Sequence, residues 1–249
     1  MSLPDLYVFA ISHYCEKARW GLDRLGVDYS LRFLAPGPHM GVAQGLGAKA
    51  SSLPILAVGD EVVQGSSAIL DWAEAHANQP TNRLAPDPTL EAECRALEQR
   101  LDEKAGVHAR RLYYSEALVD HPETVLPIFI RDLPPDEQAA VEASWDGVRQ
   151  LMIARMDLGP DQRDESLAIV ERELDWLDGL LADGRSFLVG DRLSRADLTA
   201  ASLLAPLALP EEHPTYGALE VPPLARADLG RWANRPILSW VRDIYREYR

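Results

Sequence analysis

A proline set directly before a short apolar run constrains this chain most. In Ser51-Ser52-Leu53-Pro54-Ile55-Leu56-Ala57-Val58, Ile55 to Val58 reads as a strand. A proline cannot donate to a sheet ladder, so it belongs at such a strand's first residue or on an edge. Gly59-Asp60-Glu61 then supplies a turn and Val62-Val63 a second short strand. After Gln64-Gly65-Ser66-Ser67 the pattern turns helical, with Ala68, Ile69, Trp72 and Ala73 on one side. A serine opening a helix caps free amides, and that end of a helix also favours an anion. The passage predicts a Leu-Pro turn, a hairpin and a carboxylate cradle.

Upstream, Leu6-Tyr7-Val8-Phe9-Ala10 is apolar and β-rich, a first buried strand. Ile11-Ser12-His13-Tyr14-Cys15 is the turn after it. A helix follows from about Cys15 to Leu25, with Ala18, Leu22 and Leu25 on one face and Gly26 as its stop. Val27 to Leu34 predicts a second strand. Pro36-Gly37-Pro38 breaks it, and the Gly-rich segment to Ala50 predicts irregular chain. Residues 1–79 thus read β-α-β-loop-β-β-α, a small α/β domain with a mixed sheet.

From Asn78 to Pro88 prolines and polar residues punctuate a linker. Residues 88–249 show no convincing strand and predict an all-helical second domain. Leu90 to about Leu118 is one long helix by propensity. His121 to Pro135 is broken by prolines, Glu137 to Met156 is helical, and Leu167, Val170, Leu174, Leu177 and Leu181 keep helical register in Asp164 to Leu181. A last amphipathic helix follows Pro236. Before it, Leu193-Ser194-Arg195-Ala196-Asp197-Leu198 sets Ser194 and Asp197 as a reciprocal capping pair, with Leu193 and Leu198 as the hydrophobic staple. The segment 121–156 either builds or covers a site, and its sequence does not choose.

The 249 residues are 47% apolar and 26% charged, a globular composition with enough apolar side chains for a core. Thirty-nine acids against 25 bases give a net charge of −14, which argues against nucleic acid or an anionic membrane surface as a main partner. Two cysteines far apart, Cys15 and Cys94, point to a reducing compartment. No basic region with an apolar run after it opens the chain, and no run approaches the ~18 apolar residues of a membrane span. A cytoplasmic protein is expected. No metal-ligand spacing, phosphate loop or nucleophile elbow is present, so no metal is expected.

The Leu53-Pro54 turn, the Ser66 helix start and the Ser194–Asp197 capping block together resemble the glutathione transferase superfamily. That resemblance implies a thioredoxin-like α/β domain followed by an all-α helical bundle that lines the electrophile cleft. It implies a cis proline at Pro54, with the backbone of Leu53 pairing with the cysteinyl part of glutathione. Ser66 would receive the γ-glutamyl carboxylate, with Gln64, Gly65 and Ser67 flanking it. The usual family pattern has an acidic residue where Gly65 stands.

In the redox relatives the turn at Ser12-His13-Tyr14-Cys15 is Cys-x-x-Cys; Ser12 here excludes a dithiol cycle within it. Serine-class transferases use a hydroxyl at this place to hold the glutathione thiolate, and a charge-assisted hydrogen bond lowers the thiol's pKa. The tyrosine of other classes would fall at Val8. Three residues compete. Ser12 is either the activating hydroxyl or a plain N-cap; Cys15 is either a helix-start nucleophile or a core thiol; His13 either polarises the thiol or is solvated. Lys49 is the nearest cation for the glycyl carboxylate, with Ser52 in the usual ligand's place. On the long helix, His108, Arg110, Arg111, Tyr113 and Tyr114 include residues expected to meet the second substrate.

The expected function is transfer of the glutathione thiolate, as co-substrate, to a small electrophile in the manner of detoxification enzymes, by a homodimer. The alternatives are a non-catalytic binding or scaffold protein and a Cys15-dependent thiol-exchange enzyme.

Overall fold

The computed structural model describes residues 3–77, 83–84 and 87–249; most of the predicted linker from Asn78 to Pro88 lies outside them. The chain forms two compact units. The first is Met1–Arg83 with Leu126–Val148, the second Leu84–Val125 with Arg149–Arg249.

Strands β1 (Asp5–Val8), β2 (Ser30–Phe33), β3 (Ile55–Val58) and β4 (Glu61–Gln64) make one sheet in the order β2-β1-β3-β4. β1 and β2 run parallel, and β3 is antiparallel to both β1 and β4. A parallel pair needs a crossover, and α1 (His13–Arg24) supplies it. The mixed sheet is as expected, with β1 and β2 shorter than predicted.

α1 begins at His13 because Ser12 is its cap: extended backbone (φ −79°, ψ 116°) with the side chain accepting from the Cys15 amide. The segment from Pro36 to Ala50, expected to be irregular, contains α2 (His39–Gly45). Only Ala43 of α2 is buried, so no apolar periodicity announced it. In α3 (Ser66–His76) the buried face is Ser66, Ile69, Leu70 and Ala73; Ala68 is exposed, contrary to the predicted face. α1 and α3 pack closely. A Cβ on Gly21 would lie 1.9 Å from Leu70 Cδ2, so any larger residue there would force the buried Leu70 side chain to move.

The expected long helix is α4 (Glu91–Arg100), a π-helical turn at Leu101–Gly106 and α5 (Val107–Ala117) in one run. The chain then enters the first unit as α6 (Leu126–Ile130) and the start of α7 (Pro135–Met156). Ala35, Ile130, Leu133 and Val141 form a buried cluster, with Phe33 and Leu126 packed against it. Gly37, at φ 96°, sits under Val148, whose Cγ2 would be 3.0 Å from any added Cβ. A glycine both permits that turn and makes room for α7.

The second unit continues through α8 (Pro160–Leu181), α9 (Arg195–Ala208), α10 (Pro223–Trp232) and α11 (Pro236–Tyr248). Among the described residues no strand follows Gln64. α9 is buried on nearly every side. It is opened by the predicted capping box: Ser194 Oγ accepts from the Asp197 amide, while the Asp197 carboxylate accepts from Ser194 N at 2.8 Å and from Leu188 N at 2.6 Å. Arg195 forms a buried ion pair with Glu98 of α4. Removing one partner of such a pair leaves a buried charge and costs about 3–5 kcal/mol.

Candidate functional site

Strand register gathers the predicted residues of the first unit. Tyr7 stands opposite Ile55 and Ile55 opposite Gln64. The end of β1, the start of β3 and the end of β4 therefore lie at one end of the sheet, and the turn at Ser12, the Leu53-Pro54 loop and the start of α3 emerge there. Gly65 N donates to Pro54 O at 3.0 Å, joining the last two. Lys49 and Ser52 are exposed.

The Leu53-Pro54 bond is cis. Among the described residues no hydrogen bond engages the Leu53 N–H or C=O, so both are available to an extended ligand backbone. Gln64 is occupied differently. Its amide nitrogen donates to Ala50 O (2.6 Å) and Ser52 O (2.8 Å), and its oxygen accepts from Ala50 N (3.1 Å). It clamps the loop that presents Leu53.

No side chain caps α3; its N-cap is Gly65, at φ 95° and ψ 145°. Ser66 is the first helical residue, with a buried side chain. The leading amides and the Ser66 hydroxyl make a ready anion site. Ser67, the next residue, accepts at its Oγ from Lys17 Nζ at 3.0 Å. Lys17 is fully buried on α1. Sequence reasoning missed it. The available signal was its spacing, four residues after His13 and four before Gly21, on the face that meets α3.

Ser12 is half-buried. Its N–H donates to Phe9 O at 3.1 Å, and its Oγ accepts from Cys15 N at 3.3 Å. Capping uses an oxygen lone pair and leaves the O–H as a donor. Cys15 is 1% exposed, and burial pushes its thiol up to about 11, with the Ser12 hydroxyl and the Phe9 backbone offsetting only part of that. A thiol so placed is protonated at neutral pH, and its reactivity as a nucleophile is low. His13, expected as a solvated residue if not catalytic, is buried as the first residue of α1, its ring 4.5 Å from that of Tyr14.

The candidates on the long helix are largely committed within the second unit. Arg111 pairs with Asp157 and with Glu165. His108 Nδ1 lies 3.2 Å from Ser166 Oγ, and its pKa is lowered, first by burial. Tyr114 is buried against Tyr113, at 5.6 Å between ring centroids. Among the described residues no group of three or more metal-ligating side chains assembles, and no helix is long and apolar enough to cross a membrane.

The family model described as glutathione S-transferase, N-terminal domain, matches residues 6–81, and that described as glutathione S-transferase, C-terminal domain, matches residues 160–234. Solved structures agree over the whole length. Glutathione transferase GSTFuA3 from Phanerochaete chrysosporium has a TM-score of 0.64 at 18% identity, covering 100% of this chain and 98% of that one. Beta-etherase LigF from Sphingobium sp. strain SYK-6 has 0.60 at 19%, covering 97% and 99%. A glutathione S-transferase from Methylobacillus flagellatus KT, with GSH bound, has 0.57 at 16%, covering 96% and 98%. No curated protein matches the sequence. At these identities the neighbours speak to the fold. The two family matches with the two-part architecture make the chain a member of the glutathione transferase superfamily.

Proposed function

We propose that the protein is a glutathione transferase that holds the glutathione thiolate at Ser12 and delivers it to a small electrophile. The observation that carries this reading is the N-capping geometry of Ser12, which spends a lone pair on Cys15 N and keeps a hydroxyl proton to donate. In this reading the Leu53 N–H and C=O pair with the cysteinyl residue of glutathione. The uncapped start of α3, with Ser66, takes the γ-glutamyl carboxylate. Residues 1–79 carry that binding and residues 88–249 supply the helical part, of which Leu126–Val148 belongs to the first compact unit, with two copies pairing as a homodimer in a reducing, cytoplasmic setting.

The chemistry follows from the donor. A hydrogen bond to an anionic sulfur is stronger than one to a neutral thiol, so Ser12 favours the ionised form and releases the proton to solvent. The thiolate then forms a C–S bond to the electrophilic carbon, and a leaving group or a π-bond takes the displaced electron pair. The Ser12 hydroxyl also reaches the Cys15 thiol, but a protonated thiol is a weak acceptor and an anionic glutathione sulfur is the stronger one. Its burial argues against thiol exchange through Cys15.

Calorimetric titration of glutathione into the wild type, Ser66→Ala and Ser12→Ala tests this, together with turnover of a generic electrophile. Binding in the micromolar to millimolar range, weakened by Ser66→Ala, is expected. Loss of one charge-assisted hydrogen bond, about 1.5–3 kcal/mol, predicts a rise of about 1–2 units in the bound thiol's pKa for Ser12→Ala. Turnover at neutral pH falls correspondingly, by about 10–100-fold. No heat at saturating glutathione overturns the reading in favour of a non-catalytic binding protein, to which Gly65 in place of an acid already lends some weight.

A further inference from the structure

The loop that leads into β3 has almost no backbone pairing of its own. After the bond from Ala48 N to Ala43 O, residues 49–53 make no backbone–backbone hydrogen bond among the described residues; the next is Gly65 N to Pro54 O at 3.0 Å. One side chain holds the loop instead. Gln64, the last residue of β4, donates from Nε2 to Ala50 O (2.6 Å) and Ser52 O (2.8 Å), and its Oε1 accepts from Ala50 N (3.1 Å). Both protons of the carboxamide and its oxygen are thereby engaged.

Gln64 is itself fixed, because its backbone pairs with Ile55 at the first position of β3. The carboxamide clamp on one side and the Gly65–Pro54 bond on the other bracket Leu53, whose N–H and C=O stay open. Methionine, of similar length, would offer none of the three bonds. Glutamate would keep the acceptor for Ala50 N, lose both donors and set a carboxylate against two carbonyl oxygens. Backbone freedom regained by an unclamped loop has to be given up again when a ligand binds.

We propose that Gln64 is the positioning residue of this site: it orders the loop so that the Leu53 backbone is preset to pair with an extended ligand backbone, and it does so without touching the ligand. The identity of that ligand rests on the transferase reading, in which Leu53 meets the cysteinyl residue of glutathione. Affinity that comes from this pairing scales with the fraction of molecules whose loop is ordered. Affinity that comes from the start of α3 does not depend on the Gln64 side chain.

The test is calorimetry with glutathione and with its analogue methylated on the cysteinyl amide nitrogen, which keeps the γ-glutamyl carboxylate and loses the donor to Leu53 C=O. The wild type is expected to favour glutathione by about tenfold, the worth of one well-made hydrogen bond. Gln64→Met weakens glutathione by about tenfold and leaves the methylated analogue within about twofold, so the preference collapses. Gln64→Glu does the same, and it carries the test if the methionine variant fails to fold. A substitution that only damaged the neighbouring helix start would weaken both ligands alike through the carboxylate they share, and that outcome overturns the proposal.

If glutathione does not bind at all, the transferase reading fails, and the clamp is tested without a ligand. Amide order parameters from NMR relaxation should be about 0.85 for residues 50–53 of the wild type and fall below about 0.6 in Gln64→Met, with those of β3 and α3 unchanged. Equal order parameters in the two proteins overturn the clamp as well.

Discussion

Lys17 Nζ lies 3.0 Å from Ser67 Oγ, a contact between α1 and α3 made by a lysine with no exposed surface. It adds a positive charge beside the first turn of a helix whose leading amides already favour an anion. Lys17→Met keeps most of the buried stem and removes the charge. Glutathione affinity is expected to fall about 5–10-fold, the scale of a partly buried charge acting on a helix-terminal anion. Calorimetry of the variant measures it. Unchanged affinity would assign Lys17 to α1–α3 packing alone.

Gly65 occupies φ 95° and ψ 145°, and a Cβ there would meet no atom within 4 Å. The obstacle to a side chain is backbone strain, of order 1–3 kcal/mol, and not lack of space. Gly65→Glu should therefore lower Tm while strengthening glutathione binding, because the new carboxylate can pair with the γ-glutamyl ammonium. Thermal unfolding and calorimetry on the same sample separate the two effects. A variant that loses stability and affinity together counts against this placement of the γ-glutamyl group.

The elements readable in the sequence are those whose signals are local. Pro54 lacks a ladder donor, so it marked the start of β3, and the spacing of Ser194 and Asp197 announced the capping box of α9. α2 was invisible because one buried residue makes no pattern. His13 and Lys17 are polar residues buried in the first unit, Lys17 where α1 approaches α3 near Gly21, a tertiary event that no local rule encodes. The same holds for residues 126–148. Their helical character was legible, but their attachment to the first unit depends on Gly37 meeting Val148 and Phe9 meeting Phe129 across a long separation in sequence. The three segments of the candidate site were identified through family resemblance; strand register gives the physical reason they emerge together.

Cys15 is expected to be inert in the folded protein. With its thiol pushed up to about 11 by burial, its thiolate fraction at pH 8 is about 10²-fold below that of an ordinary cysteine near 8.5. Alkylation by iodoacetamide should be slowed at least that much in the native state and restored by urea, and Cys15→Ser should retain transferase turnover. Rapid native alkylation with loss of activity would bring back the thiol-exchange mechanism.

Asp197 makes stability depend on pH in a direction opposite to that of most structural carboxylates. Burial pushes its pKa up to about 6, outweighing the hydrogen bonds from Ser194 and the backbone that favour the ion; an unfolded aspartate titrates near 3.9. Below about pH 4 both states hold the proton, and this group adds no slope. Between about 4 and 6 the folded state keeps a proton that the unfolded state has lost, so stability falls as pH rises through this window. Above about 6 the folded state carries the buried charge and the loss is complete, about 2–3 kcal/mol in all. Asp197→Asn abolishes the titration at the cost of an imperfect cap. The difference in unfolding free energy, wild type minus variant, should therefore shrink by about that amount between pH 4 and 7 in urea titrations. A difference that grows with pH would mean that the capping hydrogen bonds, and not burial, set the ionisation of Asp197.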